Sequence, residues 1–313
     1  MIPLALKPPS FDAAAPFPEV RQWQAAITAG DWPALAAFIA ALPDADSRNF
    51  AVRTIGKTKG SEAFLGRAAE TGDTLALLLF ASRHVEMGWA ARGGQPAKNT
   101  RRGQFARFHE HLNEAERLLV EVTGREPDNA PAWDLRIANA RGLELGTAEA
   151  LRRYQRLAAH HPHHYPAQAQ LLQQLCPKWG GSWDQMYGFA RECAATAPAG
   201  AVNPMLVAEA HIERWLNMPG LPRVAAPVRT AEVRAELSEA AHRSVLHPAF
   251  RRDYRFYSAH STFAMAFTVA GAYAKAAPHF RAAGRYHAST PWFYQNSPYL
   301  DLMVDRGVAL LRG

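Results

Sequence analysis

Apolar residues recur along this chain at spacings of three and four, the period of a helix that buries one face. Segment 105–124, FARFHEHLNEAERLLVEVTG, carries the pattern clearly. Phe105, Phe108, Leu112, Ala115, Leu118, Leu119 and Val122 form one stripe, and Glu114, Glu116 and Glu121 lie off it. Gly124 stands where a helix-terminating glycine belongs. Segments 20–42 and 69–89 each read as helix, tight turn, helix, with Gly30-Asp31 and Gly72-Asp73 at the turns. Asp31 can cap the second helix, and Pro33 sits in its first turn, where the missing N–H costs nothing. Alternating Val/Ile/Thr runs between Gly/Asn turns, the mark of strands, are absent. The pattern predicts an all-α chain without significant β-sheet.

The boundaries recur. PDNAPAWDLRI, starting at Pro127, is echoed by PHHYPAQAQLL, starting at Pro162. Pro127 and Pro131 reappear 35 residues on as Pro162 and Pro166, and Ala132 as Ala167. A looser copy has Pro198 and Pro204 ahead of another helical stretch, NPMLVAEAHIERWL (203–216). The period approaches the tetratricopeptide length of about 34 residues, so the predicted architecture is an α-solenoid of tetratricopeptide-like helix pairs. Its parts are an extended Pro-rich arm over 1–17, helical hairpins over 18–100 and a repeat region over 101–313, the last two continuous as one solenoid. Segment 258–284, SAHSTFAMAFTVAGAYAKAAPHFRAAG, resembles a tetratricopeptide unit, with Ala277, Phe280 and Ala283 at its packing positions. Pro278 departs from that pattern and predicts a kink or a late helix start.

The most distinctive stretch is LCPKWGGSWDQMYGFAREC (175–193). Gly180 and Gly181 allow a turn with positive φ. Ser182 is suited to cap the next helix, and Gln185 three residues later completes a capping-box pattern. Trp179 and Trp183 flank the turn, either pinning it to a neighbouring repeat or, with Arg191, forming part of a ligand groove. The Pro177-Lys178-Trp179-Gly180-Gly181-Ser182 run and the helix after it resemble a family of bacterial proteins of unknown function. Those proteins have tetratricopeptide-like repeats and a Lys/Arg-Trp-Gly-Gly-Ser signature. The stretch FAMAFTVAGAYAKAAPHFRAAG followed by TPWFY is similar to the same family, and the resemblance covers roughly residues 105–295. It implies a helical-repeat fold and no particular activity.

Composition narrows the partners. No apolar run approaches 18 residues, as a membrane span requires. The N-terminus lacks a basic start, and Pro3, Pro8 and Pro9 interrupt its apolar segment, so it does not read as a signal peptide. A cytoplasmic location is the default expectation. Cys176 and Cys193 fit no metal or redox spacing and are expected to be packed thiols. The net charge is +7, and residues 161–313 hold 15 Lys/Arg against 10 Asp/Glu. Such a surface favours acidic partners. Arg251, Arg252 and Arg255 beside Tyr254 and Tyr257 raise nucleic acid as a partner, but acidic residues interspersed through the chain argue against it.

Candidate chemistry is sparse. Gly56-Lys57-Thr58 is the tail of a phosphate-binding loop, but Ala51 replaces the leading glycine and no strand precedes it. Gly180-Gly181-Ser182-Trp183-Asp184 lacks the closing glycine of a nucleophile elbow. His109 and His111 lie about 200° apart on a helix and cannot share a metal from one face; one should be exposed and the other partly packed. HHPHHYPAQ (160–168) places His160, His161, His163 and His164 around Pro162, lesser candidates for a transition metal. No Asp, Glu or Cys lies in the loop to complete a ligand set. The repeat comparison reads it instead as a polar inter-repeat turn.

The sequence therefore favours a non-enzymatic module that binds a protein or peptide, without a cofactor, in a concave groove. Helices beginning near Pro131, Pro166 and Pro204 would line it. Asn139, Arg141, Gln170, Gln173, Gln174, His211 and Arg214, together with Trp179, Trp183 and Arg191, are its candidate residues, suited to backbone amides and carboxylates. The bland alternative for each is an ordinary exposed position. The other function class is an enzyme or an accessory subunit with a His-containing pocket, prompted by 13 histidines and the aromatic-rich HASTPWFYQNSPYL (287–300).

Overall fold

A computed structural model describes residues 7–12, 15–94, 99–218, 227–293, 295 and 297–313. Among these the chain is helical, without a strand; a lone bridge joins Ser10 and Tyr286. Two compact units emerge: Pro18–Gly180, and Met1–Phe17 with Gly181–Gly313.

The first unit holds α1 (Pro18–Ala29), α2 (Trp32–Ala40), α3 (Ala45–Gly56), α4 (Glu62–Ala69), α5 (Thr74–Arg92), α6 (Arg102–Arg125), α7 (Ala130–Gly142), α8 (Thr147–Ala158) and α9 (Tyr165–Leu175). The Gly-Asp turns form as their residues dictate. Asp31 Oδ1 accepts from Ala34 N (3.0 Å), and Asp73 Oδ1 from Ala76 N (2.9 Å), so each aspartate satisfies a donor at its helix start. The stripe of α6 is buried from Phe108 to Val122, and Phe105 is half-buried. Gly124 does not end that helix, which runs one residue further to Arg125. The division of the chain falls at Gly180 and not near residue 100. The reason is that α5 and α6, on either side of residue 100, pack extensively against each other.

The 35-residue correspondence extends to atoms. Asn129 caps α7 by accepting from Ala132 N (3.0 Å), and His164 caps α9 by accepting from Ala167 N at its Nδ1 (3.4 Å). Trp133 Nε1 donates to Pro127 O (2.8 Å), and Gln168 Nε2 donates to Pro162 O (3.0 Å). Different side chains at equivalent places thus close the same turn.

The second unit holds α10 (Trp183–Thr196), α11 (Met205–Leu216), α12 (Ala231–Arg243), α13 (Phe256–Val269), α14 (Tyr273–Ala283), α15 (Ser289–Trp292) and α16 (Pro298–Arg312). α11 packs against α10, α12 and α13, and α14 against α13 and α16. Pro278 does not delay its helix: α14 begins at Tyr273 and carries the proline in its interior. Of the expected N-terminal arm, residues 1–6 and 13–14 lie outside the described residues. The remainder is tied to this unit and does not simply lead into α1. Ser10 N donates to Arg285 O (2.7 Å), His287 N donates to Ser10 O (2.9 Å), and Phe11 meets Phe293 and Tyr299 edge-on, each at 4.9 Å. Tyr294 and Asn296 of the aromatic-rich tail also lie outside the described residues.

Gly200 precedes α11 with φ +73°, and a Cβ there would lie 2.7 Å from the Ala249 carbonyl carbon and 2.8 Å from Phe250 N. Those are backbone atoms and cannot swing aside. Gly200→Ala should therefore cost about 2–3 kcal/mol, from the left-handed backbone and the overlap together. Thermal unfolding checks it: an unchanged midpoint would contradict the packing described.

Candidate functional site

A cleft of about 470 Å³ opens in the second unit among α10, α11 and α12. Ser182 starts α10 by accepting from Gln185 N at its Oγ (3.2 Å). Just before it, Gly180 takes φ +91° to close the turn at Pro177–Trp179. Tyr187 and Arg191 then share one face of α10, four residues apart. His211 and Arg214 share a face of α11, as do Glu232 and Glu236 on α12. Pro227, Val228 and Val233 add an apolar wall.

Three of these side chains form a hydrogen-bonded chain. Tyr187 Oη lies 3.1 Å from His211 Nδ1, and His211 Nε2 lies 2.8 Å from Glu236 Oε2. A carboxylate only accepts, so Nε2 carries a proton; Nδ1 accepts from the Tyr187 hydroxyl when the imidazole is neutral and donates to it when the imidazole is protonated. Glu236 also accepts from Arg191 Nε (2.6 Å) and Nη2 (3.3 Å). Its hydrogen bonds from His211 and Arg191 hold Glu236 down at about 2 against its partial burial. Burial pushes the Tyr187 phenol up to about 12. The Arg214 guanidinium lies over the Trp183 ring at 4.7 Å, and that of Arg191 over Tyr187 at 5.2 Å. The cleft thus presents two guanidiniums, a phenol, an imidazole and the carboxylates of Glu232 and Glu236 next to aliphatic carbon, with Arg191 paired to Glu236. That combination suits an anion on an apolar stem.

Three candidates from the sequence, Arg191, His211 and Arg214, line this cleft, and a fourth, Trp183, lies beneath the Arg214 guanidinium. Tyr187, Glu232 and Glu236 escaped sequence reasoning. Tyr187 carried a usable signal in its four-residue spacing from Arg191. Glu236 carried none, because it lies 45 residues from Arg191 and 25 from His211.

The other candidates belong to the first unit. Arg141 donates to Gln170 O (3.0 Å) and Gln170 Oε1 (2.8 Å). Its guanidinium lies 5.7 Å from the Trp179 ring and 5.8 Å from Trp89, and Arg92 lies beside the same two rings. Gln173 is half-buried. Asn139 and Gln174 do not face outward as expected. Asn139, two residues from Arg141 and so on the far side of α7, is buried and donates to Leu112 O (2.9 Å) and Glu116 (3.2 Å). Gln174 is buried and donates to Trp179 O (2.9 Å), holding the turn that carries the indole.

The histidines in the loop have separate tasks. His164 is the buried cap of α9 and lies 3.5 Å from Asp46; His161 Nε2 lies 3.0 Å from Asp128 O of the preceding repeat. His163 is half-buried and His160 is exposed. Among the described residues no three His, Cys, Asp or Glu side chains are grouped as metal ligands would be. His109 and His111 are both half-buried, so neither is the exposed member expected. His111 instead meets His84, Nδ1 to Nδ1 at 3.2 Å. Cys176 and Cys193 are buried thiols. Lys57 caps the C-terminus of α3, leaving no strand–loop–helix around Gly-Lys-Thr. Tyr254 and Tyr257 pack on Phe17, and Arg252 covers Phe256 at 4.5 Å. No helix among the described residues is long and apolar enough to cross a membrane.

No protein-family model, curated protein or solved structure matches this chain.

Proposed function

We propose that this chain is a non-enzymatic helical-repeat module that holds a protein or peptide partner by an acidic group placed in the Tyr187–Arg191–His211–Arg214 cleft. The observation that carries the reading is the cleft itself. Arg214, oriented by Trp183, and Arg191 stand at a cavity with an apolar wall. Guanidinium groups bind carboxylates in a defined geometry, and Trp and Arg are common anchors of protein interfaces. In this reading the helices form an α-solenoid of tetratricopeptide-like pairs. The repeated cap and Trp/Gln tie across 35 residues support it, as does the resemblance to the Lys/Arg-Trp-Gly-Gly-Ser family. A cytoplasmic location belongs to the same proposal.

An array of immobilised acidic peptides tests it. The native chain should be retained by a subset of them, and Arg214→Glu should weaken that retention by about tenfold or more, the scale of one charge-assisted contact. Equal retention of native and variant chains would remove the cleft from the proposal.

A second reading, an enzyme or accessory subunit, is favoured by one observation: a carboxylate orients a histidine that is bonded to a hydroxyl. Turnover of an ester panel that His211→Gln abolishes would support it. Absence of turnover by the native chain would count against it.

A further inference from the structure

We infer that the cleft takes up a carboxylate together with one proton, His211 accepting the proton and Tyr187 turning its hydroxyl toward the bound anion. This rests on the reading of the cleft as a site for an acidic group and adds its ligand class and its pH dependence.

While His211 is neutral, Glu236 requires the proton on Nε2, and Nδ1 is an acceptor that consumes the Tyr187 O–H. The phenol then offers the cleft only lone pairs, which repel an anion. Protonation places a second N–H on Nδ1. Tyr187 Oη becomes the acceptor, and its own hydrogen must rotate away from the imidazole. Tyr187 lines the cleft, so the freed O–H can donate there, beside the guanidinium of Arg214. One proton thus adds a positive charge and reverses a dipole, and both changes favour an anion. The balance is simple: neutral site, proton and carboxylate give protonated site with bound carboxylate, and no bond breaks except hydrogen bonds. By linkage, an anion that prefers the protonated site must bind more tightly as pH falls.

The surrounding groups make histidine the responsible one. Lining the cleft with His211 are Tyr187 and Arg191 from α10, Arg214 from its own helix, and Glu232 and Glu236 from α12. Between pH 5 and 8 Glu236, held at about 2, stays ionised, and Tyr187, pushed up to about 12, stays protonated. Glu232 is held below the usual carboxylate range, chiefly by a backbone hydrogen bond. Pro227, Val228 and Val233 give the stem of the ligand an apolar wall, which points to a carboxylate on a short branched or aliphatic residue.

The test is calorimetric titration of the intact chain with N-acetylvaline at several pH values between 5 and 8, at fixed ionic strength. The carboxylate of this probe is ionised throughout that range. Affinity should rise about tenfold toward the acid end, a typical coupling, with proton uptake shown by buffers of different ionisation heat. Tyr187→Phe should lose the part of the pH dependence that the hydroxyl supplies while still binding, and His211→Gln should lose all of it. N-acetylvalinamide, which lacks the charge, should not bind. Affinity independent of pH in the native chain would overturn the inference and leave the acidic-group reading intact. Acidic peptides retained through Arg214 with no binding of N-acetylvaline would overturn the ligand class. Failure of both probes would remove the underlying reading as well.

Discussion

Replacing Glu116 with alanine should destabilise the first unit by about 3–5 kcal/mol, the cost of stranding buried charge. Glu116 accepts from Arg136 Nε (3.1 Å) and Nη2 (2.9 Å), from Arg153 Nη1 (3.0 Å) and from Asn139 Nδ2 (3.2 Å). The Arg153 side chain is only 4% exposed and that of Arg136 13%, so water cannot replace the lost acceptor. The two guanidiniums would also face each other without the intervening carboxylate. Glu114→Ala is the control, two residues away on the same helix. Its partner Arg117 has a side chain 61% exposed, and an exposed pair of this kind contributes about 0–1 kcal/mol. Urea unfolding of both variants decides the matter: equal losses would mean that Glu116 is no more than a surface residue.

Acid should destabilise the second unit through three imidazoles. His260 and His279 meet Nδ1 to Nδ1 at 3.1 Å, and the His279 ring lies against both Phe263 and Phe267, at 5.5 and 5.4 Å. His287 is buried beside Ser261 and Trp292. Burial pushes His260 down to about 4, and His279 and His287 each down to about 3. The unfolded chain binds these protons first, at the ordinary imidazole range near 6.5. Stability is therefore fully present above about pH 6.5 and is lost as pH falls toward 3. Each imidazole contributes a slope of about 1.4 kcal/mol per pH unit in that window, so one alone removes about 3 kcal/mol by pH 4. His279→Gln keeps a polar group toward His260 but does not titrate. Its stability should depend on pH less steeply, by about one proton, whatever its stability at pH 7. An unchanged slope between pH 6.5 and 4 would show that His279 does not stay neutral in the folded chain.

These two effects mark where sequence reasoning stopped. Glu114 and Glu116 both lie off the apolar stripe of α6 and look alike in the sequence. The difference appears only when α7 and α8 bring Arg136 and Arg153 over one of them, from 20 and 37 residues away. His260 and His279 lie 19 residues apart, and nothing local announces that their rings meet. Part of the cleft was visible as residue types, since Arg191, His211 and Arg214 all stood among the groove candidates. Its hydrogen-bonded chain was not, because Glu236 arrives from a third helix.

By itself the sequence determined the local structure. Helical period, the caps at Asp31, Asp73 and Ser182, and prolines in the first turns of α7 and α9 act within four residues of chain. Their physics needs no partner. The 35-residue comparison also read HHPHHYPAQ as an inter-repeat turn, and the structure adds that His164 there caps its helix as Asn129 caps the preceding one. The tertiary structure alone decided which polar residues turn inward. Asn139 and Gln174, expected in a groove, became internal ties. Desolvating a polar group costs more than local preference supplies unless a distant partner meets it. That partner exists only after the helices have packed.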